Sequence, residues 1–414
     1  MNLFTSGANK SNNLLKWIGL SVVVGITVGS ASAWFLILLE HATSFREANK
    51  EIIWGLPIAG LIIGLGYHYF GKEIVKGNNL ILEEYYHPNK IIKILMAPMV
   101  FAATILTHLF GGSAGREGTA VQMGGAIADQ LTTPFKLSND ERKIILLVGI
   151  SAGFSSVFGT PLTGVVFAVE LVILGSIAYK AIIPCFISAI IAHYVCLAWG
   201  ATHTIYTVNP IEAFHLNFMA WSVVAGILFG ITAMLFTNST SWWSQLFSKL
   251  FQYSPIRPLV AGIIIAIAVY IMGTTKYIGL GIPTIVQSFQ TELLPFDFLI
   301  KILFTSFTLG AGFKGGEVTP LFYIGATLGN ALVWFIPLPM DMLAAMGFVA
   351  VFSGATKTPI ACTIMGYELF GLHGLVYIAI ACTVAYLFSG KKGIYASQVT
   401  PNNKYSYLIV KSKD

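Results

Sequence analysis

The chain has 414 residues, of which 56% are hydrophobic and 10% are charged, and its net charge is +6. Soluble proteins carry about 25% charged residues, and a chain this apolar has too little polar surface to cover a soluble fold. The positive charges lie mostly in short stretches between apolar runs, which is typical of membrane topology signals and does not indicate a nucleic-acid partner.

The first predicted element is an apolar run from Trp17 to Leu39. It follows Lys10 and Lys16, so its beginning resembles a secretory signal peptide. The run is 23 residues long, however, which is enough to cross a bilayer as one helix. We therefore predict a retained first transmembrane helix, preceded by a cytoplasmic segment at 1–16.

Further apolar runs follow as far as residue 389, and several are interrupted by glycine or proline. The interruptions lie at 111–112, 159–161, 312–320 and 357–359. Broken backbone at membrane depth is tolerated where it is buried or lines a cavity, and it is a marker of ion-binding transporters. The remaining residues, 391–414, are basic and short, so we predict a second cytoplasmic segment without a regulatory domain.

The two halves of the chain resemble each other. Gly-Arg-Glu-Gly-Thr-Ala at 115–120 corresponds to Gly-Gly-Glu-Val-Thr-Pro at 315–320, an offset of 200. Thr-Pro pairs at 160–161 and 358–359 have an offset of 198, and the segments that begin at Gly77 and Gly279 have an offset of 202. Matches in the same order at a nearly constant offset predict an internal repeat, with membrane halves at 17–205 and 206–390.

Each glycine-rich break precedes an apolar run and is expected to lie at a helix N-terminus, where free N–H groups and the helix dipole favour an anion. Glu117 and Glu317 occupy matching positions in these breaks. A carboxylate in a low-dielectric site must find donors or take up a proton. We predict that Glu117 competes with a bound anion and, when protonated, moves away with its proton. The alternative is a simple first-turn acid that stabilises its helix.

Other polar residues in the apolar runs have less specific interpretations. Glu170 and Glu368 lie nine residues after their prolines and are predicted either to bridge helices or to belong to a proton path. His193 is interpreted as a helix residue with satisfied hydrogen bonds. The four cysteines lie in apolar runs without metal-ligand spacing, so we expect no metal and no cofactor.

The motifs at 77–81, 115–119, 159–164 and 316–320, in this order and spacing, resemble the CLC family of anion channels and proton-coupled antiporters. The resemblance covers nearly the whole chain. It implies an all-α integral membrane fold, an inverted repeat of two helical halves with broken helices. It also implies a homodimer with one anion pathway in each subunit. We expect the protein in the cell membrane of a bacterium, and the basic residues at both ends predict that both termini are cytoplasmic.

Within that family, the chain resembles the fluoride/proton antiporters. The commoner chloride members have other residues in place of Asn78, Thr119 and Val318, and many chloride antiporters have a glutamate where this chain has Leu171. The glutamate at position 317 is characteristic of the fluoride/proton antiporter branch of the family. The resemblance implies that Glu117 and Glu317 serve gating and proton coupling, with fluoride and protons as the transported ions. The residues implied to bind the anion are Asn78, Gly115, Arg116, Gly118, Thr119, Val318, Thr319 and Tyr395.

Three alternatives remain. A chloride/proton antiporter or chloride channel of the same family is the nearest. An intramembrane serine protease is suggested by Gly-x-Ser-x-Gly patterns around Ser113 and Ser151, although 41 glycines make chance matches expected. A purely structural membrane protein would not need paired acids at duplicated helix breaks.

Overall fold

The computed structural model describes residues 7–172, 179–210, 215–372 and 374–399, with backbone alone for 7–12 and 179. Within these ranges the protein is built from 16 α-helices. In chain order they are α1 Gly7–Ala48, α2 Leu56–Tyr69, α3 Asn78–Tyr86, α4 Met96–Leu109, α5 Glu117–Asp129, α6 Asn139–Phe158, α7 Pro161–Val172, α8 Tyr179–Ala198, α9 Leu216–Leu250, α10 Ile256–Met272, α11 Ile282–Gln287, α12 Asp297–Gly310, α13 Val318–Leu332, α14 Met340–Thr356, α15 Pro359–Phe370 and α16 Leu375–Phe388.

The helices form two series of eight that match in order. α1 packs on α8 as α9 packs on α16, and α5 packs on α6 as α13 packs on α14. α2 contacts α10 and α7 contacts α15, so corresponding helices meet across the centre. The boundary that we predict at 205–206 lies in the connection between α8 and α9 and stays a prediction, since 211–214 fall outside the described residues.

Helix lengths agree with a membrane protein that contains broken spans. Four helical stretches are long and apolar enough to cross a bilayer, at Asn13–Ala48, Lys50–Tyr69, Lys180–Ala198 and Leu216–Leu250. Others, such as Met96–Leu109 and Pro161–Val172, are apolar but shorter than a bilayer crossing requires. The run that begins at Trp17 lies inside the 42-residue helix α1, and the retention of this helix stays a prediction.

Close helix contacts in both halves depend on facing glycines. A Cβ atom placed on Gly325 of α13 would lie 2.0 Å from the carbonyl oxygen of Gly347 in α14, and the reverse distance is also 2.0 Å. In the first half the corresponding distances between Gly124 of α5 and Gly149 of α6 are 2.1 and 2.3 Å. Helices without side chains at the contact can approach until their backbones touch.

Replacing Gly347 with alanine is therefore expected to destabilise the protein. The added methyl group would force α14 away from α13, and overpacking of this kind costs about 1–3 kcal/mol. The melting temperature in detergent measures the effect. Gly19→Ala in α1 is the matched control, because a Cβ there meets nothing within 4 Å. Equal melting temperatures for the two variants would contradict this account of the helix contact.

The α7–α15 pair is joined by an exchange of carboxylates. Glu170 of α7 accepts the N–H groups of Ile360 and Ala361 at the start of α15, at 3.1 and 2.7 Å. Glu368 of α15 accepts the N–H groups of Leu162 and Thr163 at the start of α7, at 2.8 and 2.7 Å. Each acid thus satisfies free donors at the N-terminus of the other helix. Of the two predicted roles, this geometry favours the bridge between helices.

The segment 391–399 folds back against the helices. Ile394 N–H donates to the carbonyl of Ala355 at 2.9 Å, and the side chain of Gln398 donates to the carbonyls of Leu171 and Thr356. These contacts connect the segment to both halves of the molecule. Part of the predicted C-terminal segment therefore packs against the membrane helices, while 400–414 lie outside the described residues.

Candidate functional site

The two glycine-rich breaks meet at the centre of the molecule. Gly115 N–H donates to the carbonyl of Gly316 at 2.6 Å, and Gly316 N–H donates to the carbonyl of Gly115 at 2.7 Å. This antiparallel exchange relates the halves as an inverted repeat requires. A Cβ on Gly316 would lie 2.8 Å from the amide nitrogen of Gly118, so the N-termini of α5 and α13 approach closely because glycine occupies these positions.

Glu117 is the first residue of α5, but its carboxylate binds the N-terminus of α13. The side chain is fully buried. Oε2 accepts the backbone N–H of Thr319 at 3.1 Å, and the Thr319 hydroxyl lies 2.9 and 2.7 Å from Oε1 and Oε2. The Arg116 N–H also donates to Oε2, at 3.3 Å. The carboxylate therefore occupies an anion position at a helix N-terminus, where the donors and the dipole act together.

Glu317 and Asn78 lie beside the N-terminus of the other central helix, α5. A Cβ atom on Gly118 would lie 3.2 Å from Nδ2 of Asn78 and 3.7 Å from Oε2 of Glu317. Glu317 itself immediately precedes α13, and its side chain is half-buried. Each glutamate of the repeat thus approaches the helix N-terminus of the opposite half, and the two acids belong to one site.

Arg116 lies between the Glu117 carboxylate and a polar cavity. Its Nε is 3.5 Å from Oε1 of Glu117, and its side chain lines a cavity of about 340 Å³ together with Glu40 and His203. The guanidinium thus faces the cavity on one side and the Glu117 carboxylate on the other. Among the described residues of its lining, the cavity thus has one cation, Arg116, and one carboxylate, Glu40, and the cation is the one next to Glu117.

Two of the residues predicted to bind the anion, Thr119 and Val318, lie near Glu117 and Glu317. Thr119 is buried, and its hydroxyl is 2.8 Å from the hydroxyl of Thr104 in α4. Val318 is the buried first residue of α13, directly before the Thr319 donor. The structure therefore groups Gly115, Gly118, Val318 and Thr319 with the glutamates, while the hydroxyl of Thr119 binds a neighbouring helix.

Tyr395 is brought to the site by the folded-back segment. It is 4% exposed and interacts electrostatically with both Glu117 and Glu317. Ser397, two residues later, donates its N–H to Oδ1 of Asn79 at 2.9 Å, next to Asn78 in α3. Tyr395 thus enters from the end of the chain and shares its surroundings with both halves.

Sequence patterns did not identify the residues that fix the segment 391–399 and the turn directly before it. Lys357 is fully buried, and its ammonium group donates to the carbonyls of Gly354, Ser389 and Gly390 at 2.8, 3.0 and 3.1 Å. Gln398 adds the two hydrogen bonds described above. A lysine directly before a Thr-Pro break was a visible signal, because a cation in an apolar run requires a buried set of acceptors.

The serines of the protease alternative have structural partners. Ser113 Oγ lies 2.8 Å from the hydroxyl of Thr305, and Ser151 donates to the carbonyl of Cys185 at 3.2 Å. Neither partner can act as the general base that a nucleophilic serine needs. The ring of His193 stacks on His203, with 5.5 Å between centroids. Its Nδ1 is buried and has no hydrogen-bond partner among the described residues, so the prediction that its hydrogen bonds are satisfied is wrong.

The family model described as "voltage gated chloride channel" matches residues 59–390 of this chain. Among curated relatives, a "chloride/fluoride channel protein" of Pseudomonas syringae pv. tomato is 50% identical over 398 residues, which cover 95% of this chain and 88% of the relative. An "H(+)/Cl(-) exchange transporter" of Vibrio cholerae is 27% identical over 395 residues, covering 86% of this chain and 82% of the relative.

Solved structures show the same architecture. A CLC-type fluoride/proton antiporter superposes with a TM-score of 0.91 at 31% identity, covering 95% of this chain and 99% of that one. A slow cyanobacterial Cl⁻/H⁺ antiporter has a TM-score of 0.80 at 18% identity, covering 92% and 96%. The second similarity concerns the fold alone, whereas the first extends to sequence.

Proposed function

The chain belongs to the CLC family, the voltage-gated chloride channel family, and we propose that this multi-pass membrane protein is a fluoride/proton antiporter. It would export fluoride in exchange for protons, through one pathway in each subunit of a homodimer. The observation that carries the proposal is the buried Glu117 carboxylate, held at the N-terminus of α13 by the Thr319 N–H and hydroxyl groups.

Protonation of Glu117 is the step that couples the two ions. The ionised carboxylate is attracted to the N–H donors and to the positive end of the α13 dipole. Once protonated, it loses that attraction and leaves the donors available to a free anion. Because the same side chain carries the proton and vacates the position, movement of one ion requires movement of the other.

The donors around the site suit fluoride. Fluoride is small and strongly hydrated, so its binding site must replace water with close donors. The Thr319 hydroxyl and the Asn78 amide are neutral side-chain donors of this kind, and neither holds the ion with a full opposite charge. The relatives described as a chloride/fluoride channel protein and as a CLC-type fluoride/proton antiporter support this choice of anion.

The deciding experiment is reconstitution into liposomes, with a fluoride electrode and a pH electrode recording together. We expect fluoride efflux to drive proton uptake, with slower exchange when chloride replaces fluoride. Chloride exchange at an equal or higher rate would favour the chloride/proton antiporter, and fluoride efflux without a pH change would indicate a channel.

Light scattering of the detergent-solubilised protein tests the homodimer, and a monomeric mass would contradict it.

The role of Thr319 can be tested separately. In a Glu117→Gln background, where no carboxylate competes, we expect Thr319→Val to weaken fluoride binding about tenfold or more. The reason is the loss of one hydrogen bond to a charged partner, worth roughly 1.5–3 kcal/mol. Isothermal titration calorimetry in detergent measures the affinity. The control is Thr327→Val, since that buried hydroxyl donates to the Tyr323 carbonyl within α13. Unchanged affinity in the Thr319 variant would remove this residue from the site.

A further inference from the structure

A second polar cavity lies where α2 and α12 end and α10 begins, and neither Glu117 nor Glu317 lines it. Its volume is about 460 Å³. Four basic side chains line it, namely His68, Lys72, Arg257 and Lys314, which we call the basic pocket. Neither aspartate nor glutamate is among the described residues that line it. Such a concentration of one sign of charge creates a site for anions.

The cations of the basic pocket are held in place without carboxylate partners. Lys314 lies over the ring of Tyr67, with Nζ 4.3 Å from the centroid, and donates to the Val75 carbonyl at 3.2 Å. Arg257 Nε donates to the Phe251 carbonyl at 2.9 Å. In the described part of the chain, no carboxylate lies within 4.0 Å of Lys72, Arg257 or Lys314. Their charges therefore remain available to a ligand, although Lys314 also interacts electrostatically with Glu317.

Neutral donors complete the basic pocket. The hydroxyl of Ser254 lies 3.1 Å from Nδ1 of His68. Ser254 and Arg257 line the pocket near the start of α10, where the first two N–H groups of the helix already donate to the carbonyls of Tyr253 and Ser254 at 3.2 and 3.3 Å. The donors that the pocket offers are therefore side chains, and lysine, arginine and hydroxyl groups together bind phosphate-type oxyanions in proteins.

Exposed aromatic side chains next to the basic pocket are typical of a membrane boundary. Tyr69, Phe70 and Tyr253 adjoin it in sequence and are 63%, 76% and 40% exposed. Aromatic side chains of this kind mark the level of the lipid head groups. Basic pockets between transmembrane helices at that level accept anionic head groups.

From these observations we propose that the basic pocket binds a phosphate-type oxyanion, presented by the head group of an anionic phospholipid. The ligand is a phosphodiester whose charge is shared among Lys72, Arg257 and Lys314. Free inorganic phosphate has the same chemistry and could occupy the same donors. Neither Glu117 nor Glu317 lines the pocket, so the proposal does not depend on which anion the protein transports.

The test measures the melting temperature of the detergent-solubilised protein with added phosphatidylglycerol, phosphatidylcholine or sodium phosphate. We expect phosphatidylglycerol to raise the melting temperature and phosphatidylcholine to leave it unchanged, because a ligand that binds the folded state stabilises it. A rise with sodium phosphate that equals the rise with phosphatidylglycerol would assign the site to free phosphate and overturn the lipid as its source. A rise with phosphatidylcholine equal to that with phosphatidylglycerol would overturn the proposal.

Substitutions then locate the effect. The combined variant Lys72→Gln, Arg257→Gln, Lys314→Gln is expected to lose the phosphatidylglycerol-dependent rise. Lys72→Gln alone, at an exposed position between helices that does not endanger folding, should reduce it. Lys249→Gln is the matched control, since this exposed cation at the end of α9 does not line the pocket. An equal rise in Lys72→Gln and in the Lys249 control would overturn the proposal. Because this experiment measures lipid binding, its result does not depend on whether the protein exchanges fluoride for protons.

Discussion

Replacing Glu117 with glutamine is expected to abolish proton movement through the protein. The amide keeps the size of the side chain and can stay near Thr319, but it cannot take up and release a proton. It also lacks the negative charge that holds the carboxylate at the N-terminus of α13. Any fluoride that still crosses would therefore move without protons. Proton transfer by a positioned side chain contributes roughly 10²-fold or more, so the pH signal should fall to that of protein-free liposomes.

The control for this experiment is Glu368→Gln. Glu368 is also an acid in the apolar part of the chain that accepts backbone N–H groups at a helix N-terminus, but it lies in the α7–α15 contact. We expect this variant to lose stability and to keep proton-coupled exchange. If Glu117→Gln retained coupling, the gate assignment would fail. If Glu368→Gln lost coupling while remaining folded, Glu368 would belong to a proton path after all.

The sequence predicted the central features of the site because few arrangements satisfy their physical requirements. Glycine-rich breaks at an offset of 200 must be buried or line a cavity, since lipid offers no hydrogen-bond partners. The paired acids Glu117 and Glu317 in those breaks must meet donors. An inverted repeat brings both breaks to its axis, and the structure accordingly places Gly115 against Gly316.

The sequence could not predict which helix each acid would bind. Spacing along the chain places Glu117 in the first turn of α5, yet its carboxylate crosses to Thr319 of α13. Glu170 and Glu368 cross between α7 and α15 in the same way. Such exchanges depend on how the halves are oriented about their axis, which no local pattern encodes.

The position of Tyr395 depended on tertiary contacts in the same way. The basic composition after residue 390 predicts a solvated cytoplasmic segment. The hydrogen bonds of Ile394, Gln398 and Asn79 nevertheless draw 391–399 back against the helices and bury Tyr395. These partners are up to 318 residues apart in sequence, as for Asn79 and Ser397, so the contact has no local signal.

The second large effect is expected from replacing Glu317, which we interpret as a proton acceptor. The position at which many chloride antiporters have a glutamate is here Leu171, which is 2% exposed and carries no titratable group. Another proton acceptor is therefore required if protons are to reach Glu117 from the opposite side. Glu317 is half-buried, precedes the donors that hold Glu117, and lies beside Gly118 and Asn78. We propose that it accepts the proton in place of the missing carboxylate.

Glu317→Gln is accordingly expected to lower proton-coupled fluoride exchange by roughly 10²-fold, the usual contribution of a positioned proton-transfer group. The amide preserves the size of the side chain but cannot take up a proton, so a loss of exchange would report the loss of titration. Simultaneous fluoride and pH recordings from liposomes measure it. Glu170→Gln serves as the control, because Glu170 is next to Leu171 in sequence but is bonded to the start of α15. Full proton-coupled exchange in Glu317→Gln would contradict the role of Glu317 as a proton acceptor and leave Glu117 as the sole carboxylate of the mechanism.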